Sequence, residues 1–169
     1  ATHQQTASGT WIQLVGGSNV NSAGVQEYLT WAKNRYRYTN IAGNAFSAQS
    51  YYYYLWSSSK AYEFIEGSGI DPNPGNTSVE DIGTLAPGAA PACDAREVHL
   101  DPAAVPRVPL FGAQGPGYYD DPNESPRVYF DYAYKLLGYQ AADGQYDANG
   151  APGRWDQYAS QAYAILVLS

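Results

Sequence analysis

With 169 residues the chain is long enough to bury roughly two thirds of the surface its unfolded form exposes, so a single domain around one core is expected. Nine lysines and arginines against sixteen aspartates and glutamates leave a formal charge of −7, which argues against nucleic acid or an anionic membrane as partner. No apolar run approaches the ~20 residues that a membrane-spanning helix needs.

The low charged fraction and the abundance of Tyr, Gly, Ser, Asn and Ala resemble exported proteins, and an extracellular or periplasmic location is expected. The chain starts Ala1-Thr2-His3 and contains no Met, which reads as a mature product, a processed fragment or a portion of something longer, with any signal peptide already absent. Cys93 is the one cysteine, so no intramolecular disulfide can form. A zinc site would have to recruit His3, His99 or carboxylates from scattered places.

In chain order, residues 1–24 are rich in Thr, Ser, Gly, Asn and Gln and are expected to form an irregular N-terminal arm. Its apolar island, Trp11-Ile12-Gln13-Leu14-Val15, reads as a short strand or an anchor. Ser22 precedes a helix with Val25, Tyr28, Leu29 and Ala32 on its apolar face and Trp31 on the flank, ending among Lys33, Arg35 and Arg37. A second helix follows from about residue 47 to 66. It contains Tyr51-Tyr52-Tyr53-Tyr54-Leu55-Trp56, four tyrosines that cover every side of a helix, so some rings must be buried or must meet another chain. A strand is the competing reading, but no breaker interrupts the segment before Gly67, a length ordinary for a helix. Residues 25–66 are thus a first helical hairpin.

Residues 67–125 carry so many prolines and glycines that no long element fits, and they form a loop-rich insertion with a helical turn near residues 79–85 and a strand or extended arm at 96–100. A connection of this length is the natural place for a binding feature. Asn76 and Asn123 stand in glycosylation sequons. Residues 126–169 then form a second hairpin. Val128, Tyr129, Tyr132, Ala133, Leu136 and Leu137 share one face of a helix opened by Pro126, and Trp155, Tyr158, Ala159, Ala162, Tyr163, Ile165 and Leu166 share a face of another, with Asp156 at its start. The polar turn between them holds Gln140, Asp143, Gly144 and Tyr146.

Leu136, Gln140, Asp143-Gly144-Gln145-Tyr146 and the later Trp155 together resemble the glutamine-tryptophan repeat of the terpenoid cyclase and prenyltransferase family, with Tyr146 where that motif usually has Trp. Residues 51–66 are similar to the aromatic inner helices of the same α/α toroids. The resemblance implies a mainly α fold, a partial α/α toroid of helical hairpins. It also implies enzyme chemistries that can be tested on the residues. Asp120-Asp121 is the only acidic pair that looks like the cyclases' proton donor, and it lacks the upstream third aspartate. Cys93, Asp94, His99 and Asp101 offer the prenyltransferases' zinc ligand types, in the wrong order and spacing. Glu63, Glu66, Asp120 and Asp156 could be paired as hydrolytic carboxylates only on paper.

No catalytic motif is complete and no cofactor or metal is called for. Two hairpins are too few to close a toroid, so the aromatic faces need cover from a neighbouring copy, a longer parent chain or a partner protein. The expectation is therefore a structural or binding module that self-assembles, as a filament or ring, or docks through Tyr51, Tyr52, Tyr53, Tyr54, Trp56, Tyr158 and Tyr163. A truncated enzyme domain of the toroid family and a carbohydrate-binding module are the alternatives.

Overall fold

The computed structural model describes residues 2–39, 49–86, 96–112, 114–118 and 120–169. Among them the chain is mainly α-helical and contains no β-strand. The helices are α1 (His3–Val15), α2 (Ala23–Arg35), α3 (Tyr51–Gly67), α4 (Val128–Tyr139) and α5 (Gln157–Leu168), with a single 3-10 turn at Pro109–Phe111.

Four of the helices lie where apolar periodicity places them, and α2 buries the expected Val25, Tyr28, Leu29 and Ala32. The N-terminal segment does not behave as read: residues 3–15 are helix, not an irregular arm with a strand. Ser and Thr are weak helix formers because their hydroxyls compete for the backbone. Here that competition is absorbed inside the helix, as Thr6, Ser8 and Thr10 donate to the carbonyls of Thr2, Gln4 and Thr6 at 2.7, 2.7 and 3.0 Å. Packing supplies the rest. Trp11 meets Phe64 of α3 edge-on at 4.6 Å, and His3 is buried between the rings of Trp31 and Tyr54.

The central helix is α3, with α1 and α5 both packed along it, α2 against α1, and α4 against α5. The unit expected over 25–66 is thus rearranged, because α1 takes the place beside α3. Helix α2 reaches α3 through long side chains, such as Tyr28, whose hydroxyl donates to that of Tyr62 at 3.2 Å. The tyrosine run explains the position of α3. Successive residues point about 100° apart, and the hydroxyls reach three parts of the chain: Tyr51 and Tyr54 the adjacent carbonyls of Tyr38 and Arg37, Tyr52 the carbonyl of Tyr146, and Tyr53 the Ser8 hydroxyl.

The α4–α5 turn is tied to both helices. Gln140 pairs with Tyr146 in an isolated bridge, Gly144 takes a positive φ of 88°, and the Gly144 carbonyl accepts from Gln140 and, at 3.0 Å, from Gln161 of α5. Trp155 falls outside α5, which Asp156 caps by accepting from the amides of Tyr158 and Ala159 at 2.9 Å. Pro126 likewise precedes α4 rather than opening it, since Arg127 occupies the cap position.

The deepest polar group is Asp131 on α4, with no exposed surface. One carboxylate oxygen accepts from the Tyr36 hydroxyl (2.6 Å) and from His99 Nδ1 (2.6 Å), and the other from the Leu100 amide (2.8 Å). These bonds join the end of α2, the arm at 96–100 and α4. The arm is anchored a second time, where the Glu97 amide donates to the Tyr36 carbonyl and the Tyr38 hydroxyl to the Val98 carbonyl, both at 2.8 Å. A buried carboxylate with three donors is stable only while the donors remain. Asp131→Ala strands all three and should lower unfolding free energy by about 3–5 kcal/mol, whereas Tyr36→Phe removes one bond to a charged group and should cost about 1.5–3 kcal/mol. Urea unfolding of both variants measures this; equal losses would show that the carboxylate's other two donors contribute nothing.

Candidate functional site

The residues expected to meet another chain divide into two sets. Tyr51, Tyr52 and Tyr54 are buried in the chain's own core, so they are unavailable to a partner. Tyr53 and Trp56 are half-buried and pack on Tyr163 of α5 at 5.3 Å each. Tyr28, Tyr36, Tyr54, Tyr62 and Tyr132 gather between α2, α3 and α4, where the Tyr132 hydroxyl meets Ser58 at 2.9 Å and Tyr54 at 3.4 Å. Burial holds the phenols of Tyr28, Tyr36, Tyr51, Tyr62 and Tyr132 well above their ordinary range, and it pushes Tyr52 and Tyr54 up to about 12.

The exposed set lies on α5. This helix carries no charged residue, and its orientation inverts the usual arrangement. The inward residues are Ser160, Ala164 and Val167, small enough to let α5 approach α3 closely. The large ones face out: Tyr158 is 78% exposed, Ile165 51% and Leu166 42%. Tyr129 of α4 continues the patch, being 46% exposed with its hydroxyl 3.4 Å from the Leu168 carbonyl. Most of the face read from periodicity on the last helix is therefore surface, with Trp155, Tyr158, Ala159, Ala162, Ile165 and Leu166 exposed, and so is Tyr129 of α4. The period of a helix says which residues share a face, but not which face a neighbour covers.

The repeat-motif residues serve the hairpin turn. Leu136 is fully buried, Tyr146 is buried, Asp143 accepts from the Gln145 amide at 3.0 Å, and the Trp155 indole donates to Ser50 at 2.8 Å. Asp120 is exposed, and Asp121 caps a turn by accepting from the Asn123 amide at 2.9 Å. Cys93 and Asp94 lie outside the described residues. His99, a candidate metal ligand by residue type, spends Nδ1 on Asp131. Among the described residues no group of three or more His, Cys, Asp and Glu is placed to hold a metal ion. No described helix is long and apolar enough to cross a membrane.

Sequence reasoning singled out neither Asp131 nor Tyr36. Asp131 looks like a surface residue beside an apolar stripe, and only its distant partners explain its burial. No protein-family model, curated protein or solved structure matches the chain.

The buried phenols have a consequence at high pH. Each binds its proton more tightly in the folded chain than in the unfolded one, whose tyrosines ionise near 10. Their contribution to stability is therefore intact below about pH 10 and is lost as the pH rises through about 12. Phenolate absorbance from the buried set should appear together with loss of helical circular dichroism. Smooth ionisation of all tyrosines with helicity retained would contradict the burial described.

Proposed function

We propose that the chain is a helical docking module whose contact surface is the outward face of α5, with a second copy of the chain as partner. The observation that carries this is the inversion of α5: a charge-free helix turns Ser160 and Ala164 inward and Tyr158, Ile165 and Leu166 to solvent. A contiguous exposed apolar patch on a soluble surface marks an interaction site. The likeness of residues 136–166 to the toroid repeat supports a helix of similar build as occupant, since hairpins of that kind pack on one another. A partial α/α toroid, in the extracytoplasmic setting that the composition suggests, is part of the same proposal. The run at residues 51–54 serves as scaffold and α5 as surface.

The magnitudes favour a modest contact. Burying Tyr129, Tyr158, Ile165 and Leu166 gains about 1.5–3 kcal/mol each, against about 4–15 kcal/mol for lost freedom of association. Self-association should consequently depend on concentration. Light scattering coupled to size exclusion should show a mass above 18.3 kDa that rises with loading, and the double substitution Tyr158→Lys with Ile165→Lys should return it to the monomer without lowering the melting temperature. A wild-type chain that stays monomeric at every concentration overturns the proposal.

A further inference from the structure

A cavity of about 450 Å³ opens between α3, the turn near residue 80, the arm at 96–100 and the start of α4. Its size falls in the roughly 300–1,000 Å³ range of small-molecule sites. His99 forms part of its wall. The ring is fixed from two sides. Asp131, an acceptor only, takes the Nδ1 proton at 2.6 Å, and Gly83, with φ +82°, lies so close that a Cβ there would come within 2.5 Å of the imidazole. The His99 amide also donates to the Gly83 carbonyl at 3.0 Å. Because Nδ1 must carry the proton, neutral His99 presents Nε2 as a lone-pair acceptor, and among the described residues Nε2 has no hydrogen-bond partner.

Among the described residues, the remaining charged groups of the cavity are the carboxylates of Glu63, Glu66 and Glu80 and one cation, Arg127. The hydroxyls of Ser59 and Thr84 donate back to the carbonyls of Trp56 and Asp81 at 2.8 and 2.7 Å, and Arg127 Nε donates to Glu124 at 2.8 Å. Glu63 is paired with Lys60 at 2.7 Å. Glu66 and Glu80 have no ion-pair partner among the described residues. Desolvation first, with the charges of Glu80 and Glu63 adding and that of Arg127 opposing, raises the Glu66 carboxyl above its ordinary value. Between these acceptors the walls are apolar, formed by Val79, Val128 and Val167 with the Tyr129 ring. A complementary ligand brings N–H donors, a positive charge and a hydrocarbon body.

We infer that this cavity binds a primary organic ammonium ion with an apolar body, its N–H groups donating to His99 Nε2 and to the Glu66 and Glu80 carboxylates. The site shares Tyr129 with the proposed docking face, but the groups that would hold the ammonium, His99, Glu66 and Glu80, are not part of that face.

The probe is 2-phenylethylamine, titrated into the ¹⁵N-labelled full chain while the imidazole nitrogens are followed by NMR. His3, the chain's other histidine, is buried with Nε2 at 2.9 Å from the Arg35 carbonyl and serves as internal control. Saturable movement of the His99 Nε2 signal is expected, with His3 unmoved. Replacing both exposed carboxylates, Glu66→Gln with Glu80→Gln, should weaken binding by about tenfold or more without loss of fold. The neutral 2-phenylethanol and the anionic phenylacetate should not saturate the site. Equal binding of either one, an unchanged affinity in the double variant, or no His99 response to the amine overturns the inference.

Discussion

The buried carboxylate of Asp131 is the constraint from which the arrangement of the chain follows. A charge with no exposed surface must be matched where it lies, and its donors come from the end of α2, from the arm at 96–100 and from that arm's histidine. These partners all lie earlier in the chain, Tyr36 by 95 residues, His99 by 32 and Leu100 by 31, so the bonds fix where a Pro- and Gly-rich connection crosses the helices. The same carboxylate sets the tautomer of His99. One group thus closes the core and determines the polarity of the cavity wall beyond it.

Around that point the chain builds its interior from tyrosine. A phenol contributes a large apolar ring but carries a hydroxyl that cannot be left dry, so each buried ring must end on an acceptor. The four consecutive tyrosines of α3 meet this condition by reaching three separate segments, at Ser8, at Arg37 and Tyr38, and at Tyr146, which makes the helix a hub. Stability and specificity are linked in such a core, because a slipped helix would lose its ring packing and strand several hydroxyls at once. Small residues have the complementary role: Ser160 and Ala164 let α5 lie close to α3, and the large residues of α5 are left facing out.

This division of labour separates scaffold from surface. Of the residues that look most like an interface in the sequence, Tyr51, Tyr52 and Tyr54 are consumed within the fold and Tyr158 stays exposed; large apolar side chains are exposed on α5 and at Tyr129, and elsewhere at Ile12, Val15, Phe64 and Leu110. The exposed apolar face proposed for docking and the cavity share Tyr129 but differ in chemistry, one uncharged and apolar, the other lined by His99, three carboxylates and Arg127.

What the sequence by itself determined was local. Period, breakers and capping residues were enough to place α2, α3, α4 and α5 and to identify the turn at Gln140 and Gly144, because these depend on neighbours within a few positions; at residues 96–100 they left strand and arm open, and the segment is not a strand. Helix α1 was hidden, since the weak propensity of its Ser, Thr and Gly residues is overcome by packing against α3 that no local pattern records. Tertiary structure alone decided which face of each helix is covered, so Tyr51, Tyr52 and Tyr54 went inward and Ile165 and Leu166 outward. It also decided that Asp131, Tyr36 and His99 meet, for a carboxylate's burial depends on donors that lie far away in the chain and come together only when the helices pack.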